Sequence, residues 1–196
     1  MKTRIVLASS SPRRAELLRM FDLPFEIVPP DLTEAGFYVS VPRALASVLA
    51  VGKAQIVAEE YPISIIISAD TVVELDGQDL GKPRNANDAR RILSRLSGRT
   101  HTVHTGLAVI YMGEMLRDVV STKVTFRELS EEEIEAYIAS GEPEDKAGAY
   151  AIQGRASAFV EKIEGDYFAV VGLPIAKLRE FLKQFDIDMV CGMKAE

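Results

Sequence analysis

The sequence predicts an α/β fold, a mixed twisted sheet with flanking helices, and three observations carry that expectation. Short apolar or β-branched runs alternate with segments of helical periodicity. The connections are short, with no repeat or low-complexity linker in the 196 residues. A hydrophobic content of 47% suffices to bury one sizeable core. One domain spanning residues 1–196 is expected.

The elements follow in order. Arg4–Ala8 reads as a buried strand. Ser11 is placed to cap the next helix, to about Phe21, and Pro12 suits its first turn, where a nitrogen has no intrahelical partner. Pro24 and Pro29-Pro30 mark an irregular passage. Pro42 opens a helix with apolar positions at Leu45, Val48, Leu49, Ile56 and Val57, and Pro62 ends it. Ile63–Ile67 is a β-branched strand that resumes at Val72–Leu75, and Asp76-Gly77 reads as a hairpin turn. Asn85–Leu96 is helical, with Gly98 as its stop. His101–Tyr111 and Leu116–Leu129 are strand-like around a turn at Gly113. Ser130 and Glu133 make a capping box for a helix over 134–139. A glycine-rich loop leads to a strand at Ala156–Ile163, and Pro174 opens a last helix with the stripe Ile175, Leu178, Phe181, Leu182 and Phe185.

Composition narrows the function. A net charge of −6 and a pI near 5.1 argue against a nonspecific nucleic-acid binder, which would show a basic surface. The single cysteine, Cys191, excludes an internal disulfide and fits a reducing compartment. With no signal-peptide pattern and no apolar run long enough to span a bilayer, a cytoplasmic location without membrane contact is expected.

Against that acidic background, the cations Arg13, Arg14, Lys53 and Lys82 form a local positive site. Arg13 and Arg14 stand at a helix N-terminus, where cations oppose the macrodipole and lose up to about 1 kcal/mol, so a compensating anion is expected. Phosphate fits, because free backbone N–H groups and guanidinium forks hold it together. Solvated arginines, or arginines paired with surface carboxylates, are the plainer alternative. Ser68-Ala69-Asp70-Thr71 interrupts an apolar run, so Asp70 needs either a bonding network or a place where the strand opens onto a cleft. Lys53 lies one helical turn from Leu49 and Val57, where snorkelling competes with a functional role, and Gly52 suggests a close backbone or ligand. Gly81-Lys82-Pro83 is no Walker loop, lacking its preceding glycine and following Ser/Thr. The segment Glu142–Gly154 has the profile of a binding loop, in which the Gln153 amide could read a base edge. His101 and His104, three apart, fall on opposite faces of a strand and are not read as a metal pair.

Taken in order, Ala8-Ser9-Ser10-Ser11-Pro12-Arg13-Arg14, Ser68-Ala69-Asp70-Thr71-Val72-Val73, Gly81-Lys82-Pro83, Asp145-Lys146-Ala147-Gly148-Ala149-Tyr150-Ala151-Ile152-Gln153-Gly154 and Gly172-Leu173-Pro174 resemble the Maf family of septum-formation proteins over nearly the whole chain. The resemblance implies a nucleoside triphosphate pyrophosphatase that uses a divalent cation, Mg²⁺ or Mn²⁺. It also implies an α/β fold with a deep cleft between two lobes, related to inosine triphosphatases, and often a homodimer. Arg13, Thr71 and Gln153 match the branch acting on dTTP and UTP, while the Ser-Pro-Trp-Arg and Ser-Asp-Gln patterns of the 7-methyl-GTP branch are missing. Ala151 stands where a glycine is common.

By the same resemblance Asp70 is the proton acceptor, and Arg13, Lys53 and Lys82 hold the triphosphate, with Ser9 and Arg14 as further substrate contacts. Asp70 could equally hold the metal, with Glu34 as a second ligand. The competing functional class is a nucleotide-binding regulator of cell division that needs no turnover.

Overall fold

The computed structural model describes residues 3–33 and 39–190, so Glu34 and Cys191 lie outside the described residues. Strands β1 (Ile5–Leu7), β2 (Phe25–Ile27), β3 (Ile65–Leu75), β4 (Gln78–Asp79), β5 (Thr100–Tyr111), β6 (Glu114–Phe126) and β7 (Val160–Glu164) form one sheet. Its order is β2-β1-β3-β5-β6-β7, with β4 paired to β3. The β2, β1 and β3 pairings are parallel and the others antiparallel, the mixed sheet expected. Helices α1 (Pro12–Arg19), α2 (Pro42–Glu60), α3 (Ala86–Leu96), α4 (Glu131–Ala139), α5 (Tyr167–Val171) and α6 (Ile175–Gln184) flank it. No helix among the described residues is long and apolar enough to cross a membrane.

Local signals held well. Asp76 and Gly77 both take positive φ, 54° and 75°, which is the backbone a tight hairpin needs to match strand twist, and Leu75 pairs with Gln78 across it. The Ser130–Glu133 capping box has both of its bonds. Ser11 is the N-cap residue of α1, but its hydroxyl caps nothing; its N–H instead donates to Ser9 Oγ at 3.1 Å.

Several expectations need correction. The strand expected to break at Ser68–Thr71 is continuous, because β5 pairs with it without interruption from Ile66 to Glu74. The passage between Pro24 and Pro29 contains the short edge strand β2. Strand β7 begins at Val160 rather than Ala156, since Arg155–Phe159 winds into a 3₁₀ turn, and β6 ends at Phe126. Helix α5 went unforeseen; Asp166 caps it, accepting from the N–H groups of Phe168 and Ala169.

The buried face of α2 also differs from the apolar stripe. It runs through Ala46, Ala50 and Ala54 as well as Leu49 and Val57, leaving Leu45, Val48 and Ile56 half-buried. Small side chains win because the helix lies so close to β5. A Cβ on Gly106 would sit 2.1 Å from the Ala46 carbonyl oxygen. A close approach of α2 to the sheet is made at Gly106. Val6, Ala8, Ile66 and Ala108 pack with Ala50, Ala54 and Val57 on this side of the sheet, and the larger core fills the other.

Candidate active site

Strand β3 outruns its parallel neighbour. Pairing with β1 stops at Leu7 and Ile67, closed by Ala8 N–H to the Ile67 carbonyl at 2.8 Å, whereas β3 continues for eight residues. The turn after β1 swings away through Ser9 into α1, and the uncovered stretch of β3 borders a cleft of about 910 Å³. Ligand sites in α/β sheets favour this place, outside the carboxyl ends of parallel strands.

Asp70 and Thr71 sit on that stretch and point to opposite faces, because side chains alternate along a strand. Asp70 shares the α2 face with Ile66. Lys53 lies on the same side of α2 as Ala50 and Val57, and its Nζ meets Asp70 Oδ1 at 2.5 Å. The two side chains are only 13% and 10% exposed, so each supplies the charge partner that makes burial of the other tolerable. Lys53 is therefore an ion-pair partner inside the cleft rather than a snorkelling lysine. Asp70 Oδ2 has no partner among the described residues.

Thr71 belongs to a chain of bonds on the other face. Thr105 Oγ1 donates to the Ala169 carbonyl at 2.7 Å and contacts Thr71 Oγ1 at 3.0 Å. Thr105 has one hydroxyl hydrogen, already given to a carbonyl that can only accept, so Thr71 is the donor between the two threonines. Arg14 donates to Thr71 Oγ1 at 3.3 Å. One acceptor lone pair on Thr71 thus remains for the cleft.

Arg14 also donates to the Gly172 carbonyl at 2.8 Å and to Ser9 Oγ at 3.4 Å, tying α1 to β3 and to the end of α5. Its charge at the helix N-terminus is answered by these acceptors. Arg13 differs: it is half-buried, burial disfavours its charge with Glu16 partly offsetting, and it has no hydrogen-bond partner among the described residues. Ser9 is buried and accepts from Ser11 N–H and Arg14, which leaves its own hydrogen to give.

The cleft brings together Ser9, Arg13, Arg14, Lys53, Asp70, Thr71, Lys82 and Gln153, the sequence-derived candidates that fall within the described residues. Lys82 is held near the glycine-rich loop by Gly148 N–H donating to the Gly81 carbonyl at 2.8 Å. The cleft is also lined by Asp79, Asp145, Lys146 and Tyr150, which were not singled out. Lys146 and Tyr150 stood within the motif Asp145–Gly154, so position in that motif was the available signal. Burial first, and then repulsion from Arg13, lowers the Lys146 amine below the usual lysine range.

Tyr150 is anchored from behind, its hydroxyl bonded to His101 Nε2 at 2.8 Å. His104 faces away, bonded to Ser121 and Glu74, so the two histidines share no ligand position. Burial pushes the His101 imidazole down to about 4. The unfolded chain, with a histidine near 6.5, takes up a proton that the folded chain refuses until about pH 4. His101 is thus expected to cost stability as pH falls through that window, about 3 kcal/mol at its lower end, and nothing above pH 7. Urea unfolding of the wild type and His101→Gln at pH 7.5 and 4.5 checks this; equal losses in both proteins would refute it.

A family model described as Maf-like protein matches residues 4–185. The chain is 50% identical over 186 residues to a dTTP/UTP pyrophosphatase of Bacillus cereus, covering 95% of this chain and 97% of that protein. The same identity and coverage hold for a dTTP/UTP pyrophosphatase of Bacillus mycoides. Among solved structures, the Ham1 protein of Staphylococcus aureus superposes with a TM-score of 0.55 at 14% identity, over 93% of this chain and 100% of that one. That likeness concerns the fold alone.

Proposed function

Because the chain belongs to the Maf-like protein family, we propose that it hydrolyses dTTP and UTP to the nucleoside monophosphate and pyrophosphate, acting as one domain over 1–196. The observation that carries the reading is the buried Lys53–Asp70 pair in the wall of a cation-lined cleft. A carboxylate beside a triphosphate repels it unless a cation stands between them, so its presence is better explained by proton or metal chemistry in the reaction than by binding alone. The pair favours turnover over regulation by binding alone.

In the proposed reaction water attacks the α-phosphorus, the bond to the bridging oxygen of the β-phosphate breaks, and pyrophosphate leaves. Lys53 fixes one oxygen of Asp70, and the other accepts the water's proton. Arg13 and Lys82 hold the triphosphate, and their charge offsets what builds up on the leaving group. Ser9 donates its free hydrogen to a phosphate oxygen, and Arg14 supports Ser9 and Thr71 from behind.

A hard carboxylate oxygen facing a phosphate cleft suits Mg²⁺ or Mn²⁺. Two candidate carboxylates, Asp70 and Glu34, would leave most of the coordination sphere to phosphate oxygens and water. Asp70 would hold the cation, with Glu34 as the second candidate, and the cation would neutralise phosphoryl charge.

At the base, the lone pair left on Thr71 accepts the N–H of a uracil or thymine ring, and the Gln153 amide meets a neighbouring carbonyl. Unpaired groups in such a site cost about 1–3 kcal/mol each, which favours dTTP and UTP over ATP, GTP and 7-methyl-GTP. Pyrophosphate release from those five nucleotides, with Mg²⁺ or Mn²⁺ and with EDTA, tests the proposal; a preference for 7-methyl-GTP would sink it. Gln153→Ala is expected to bring kcat/KM for UTP about tenfold closer to that for ATP, with little change in unfolding midpoint.

A further inference from the structure

One acidic residue of the glycine-rich segment does not face the cleft. Glu142 follows α4, and its carboxylate is wrapped by the loop that carries Gln153. Oε2 accepts from Arg155 N–H at 3.0 Å, and Oε1 accepts from Ala156 N–H at 3.4 Å and from the Tyr137 hydroxyl at 3.0 Å. Tyr137 in turn accepts from Ala151 N–H at 3.2 Å. The backbone is thereby pinned on both sides of Gln153, at residue 151 through Tyr137 and at 155 and 156 directly. Gln153 itself is exposed at the apex and lines the cleft.

The packing is tight enough to dictate a neighbour. A Cβ on Gly154 would sit 2.3–2.6 Å from the carboxylate atoms of Glu142. Its φ of −101° is open to any residue, so the carboxylate, and not backbone strain, requires glycine there. Tyr137 extends the connection, since its buried hydroxyl and the Arg13 guanidinium influence each other's charge.

We propose that Glu142 is a positioning residue for base selection: with Tyr137 it sets the height and direction of Gln153 without touching substrate. This rests on the proposed role of Gln153 as reader of the pyrimidine. Three donors converge on the carboxylate and it has nothing to give back, so only an acceptor-only group fits. An amide turns an NH₂ toward those donors, which makes Glu142→Gln a disruptive change despite its matching shape.

The test is the ratio of kcat/KM for UTP to that for ATP, which does not depend on the fraction of molecules that fold. Glu142→Gln and Gly154→Ala are each expected to lower the ratio about tenfold, chiefly by raising KM for UTP. The double variant Glu142→Ala/Gly154→Ala should lose no more than Glu142→Ala alone, because the clash and the anchor disappear together. Unchanged ratios in both single variants, or losses that simply add in the double variant, overturn the proposal. A wild type without preference for UTP over ATP instead defeats the reading of Gln153 on which it rests.

Discussion

Asp70→Asn is expected to lower kcat for dTTP and UTP by on the order of 10² to 10⁴ while nucleotide binding survives, as loss of one positioned acid–base group does. The amide preserves the side-chain shape and keeps an oxygen for Lys53 Nζ, now at 2.5 Å from Oδ1. What it loses is the second basic oxygen. Removing a negative charge beside the triphosphate removes a repulsion, so Kd measured without divalent metal should fall or hold steady while kcat with metal collapses. Isothermal titration of a non-hydrolysable UTP analogue and steady-state pyrophosphate release separate the two effects. A variant with near-normal kcat would remove Asp70 from the centre of the mechanism, and one that loses binding in proportion would make it a binding residue.

Among the glycines whose surroundings the structure describes, Gly106→Ala is expected to be the most damaging substitution. Its Cβ would lie 2.1 Å from the Ala46 carbonyl oxygen and 2.5 Å from the carbonyl carbon, atoms of the α2 backbone that no rotamer change can move. Relief requires the whole helix to lift from the sheet, opening the alanine-lined contact of Ala50 and Ala54 with Ala8, Ile66 and Ala108. Overpacking of this kind costs about 1–3 kcal/mol, occasionally more, and backbone against backbone belongs at the upper end. Helix α2 also carries Lys53, so the folded fraction should show reduced kcat because the amine no longer meets Asp70 at the same place. Chemical denaturation and activity per folded molecule measure both. A variant of wild-type stability would mean that α2 is free to shift.

The sequence made the fold legible wherever local chemistry decided it. The Asp76-Gly77 turn, the Ser130–Glu133 box and the prolines bounding α2 each fixed an element end by a backbone requirement. What it hid was tertiary compensation. Ser68–Thr71 read as a break because polar residues in an apolar run need partners, and the partners, Lys53, Arg14 and Thr105, lie 17 to 57 positions away. Side-chain size is a poor guide to the buried stripe of α2, because a helix resting on Gly106 buries alanines. At the site, residue types pointed to Asp70, Arg13 and Gln153, but Glu142 carried no such mark. Its importance lies in which backbone N–H groups surround it, and only folding determines that.

The overhang of β3 has an evolutionary consequence. Neighbouring residues 70 and 71 are separated by the thickness of the sheet, one anchored to α2 and the other to α1 and β5. A substitution at 71 is therefore transmitted to Thr105 and Arg14 while the lysine–aspartate pair stays where it is. On the proposed role of Thr71 in base recognition, selection can retune that recognition through one face of the sheet while the lysine–aspartate pair on the reverse stays in place.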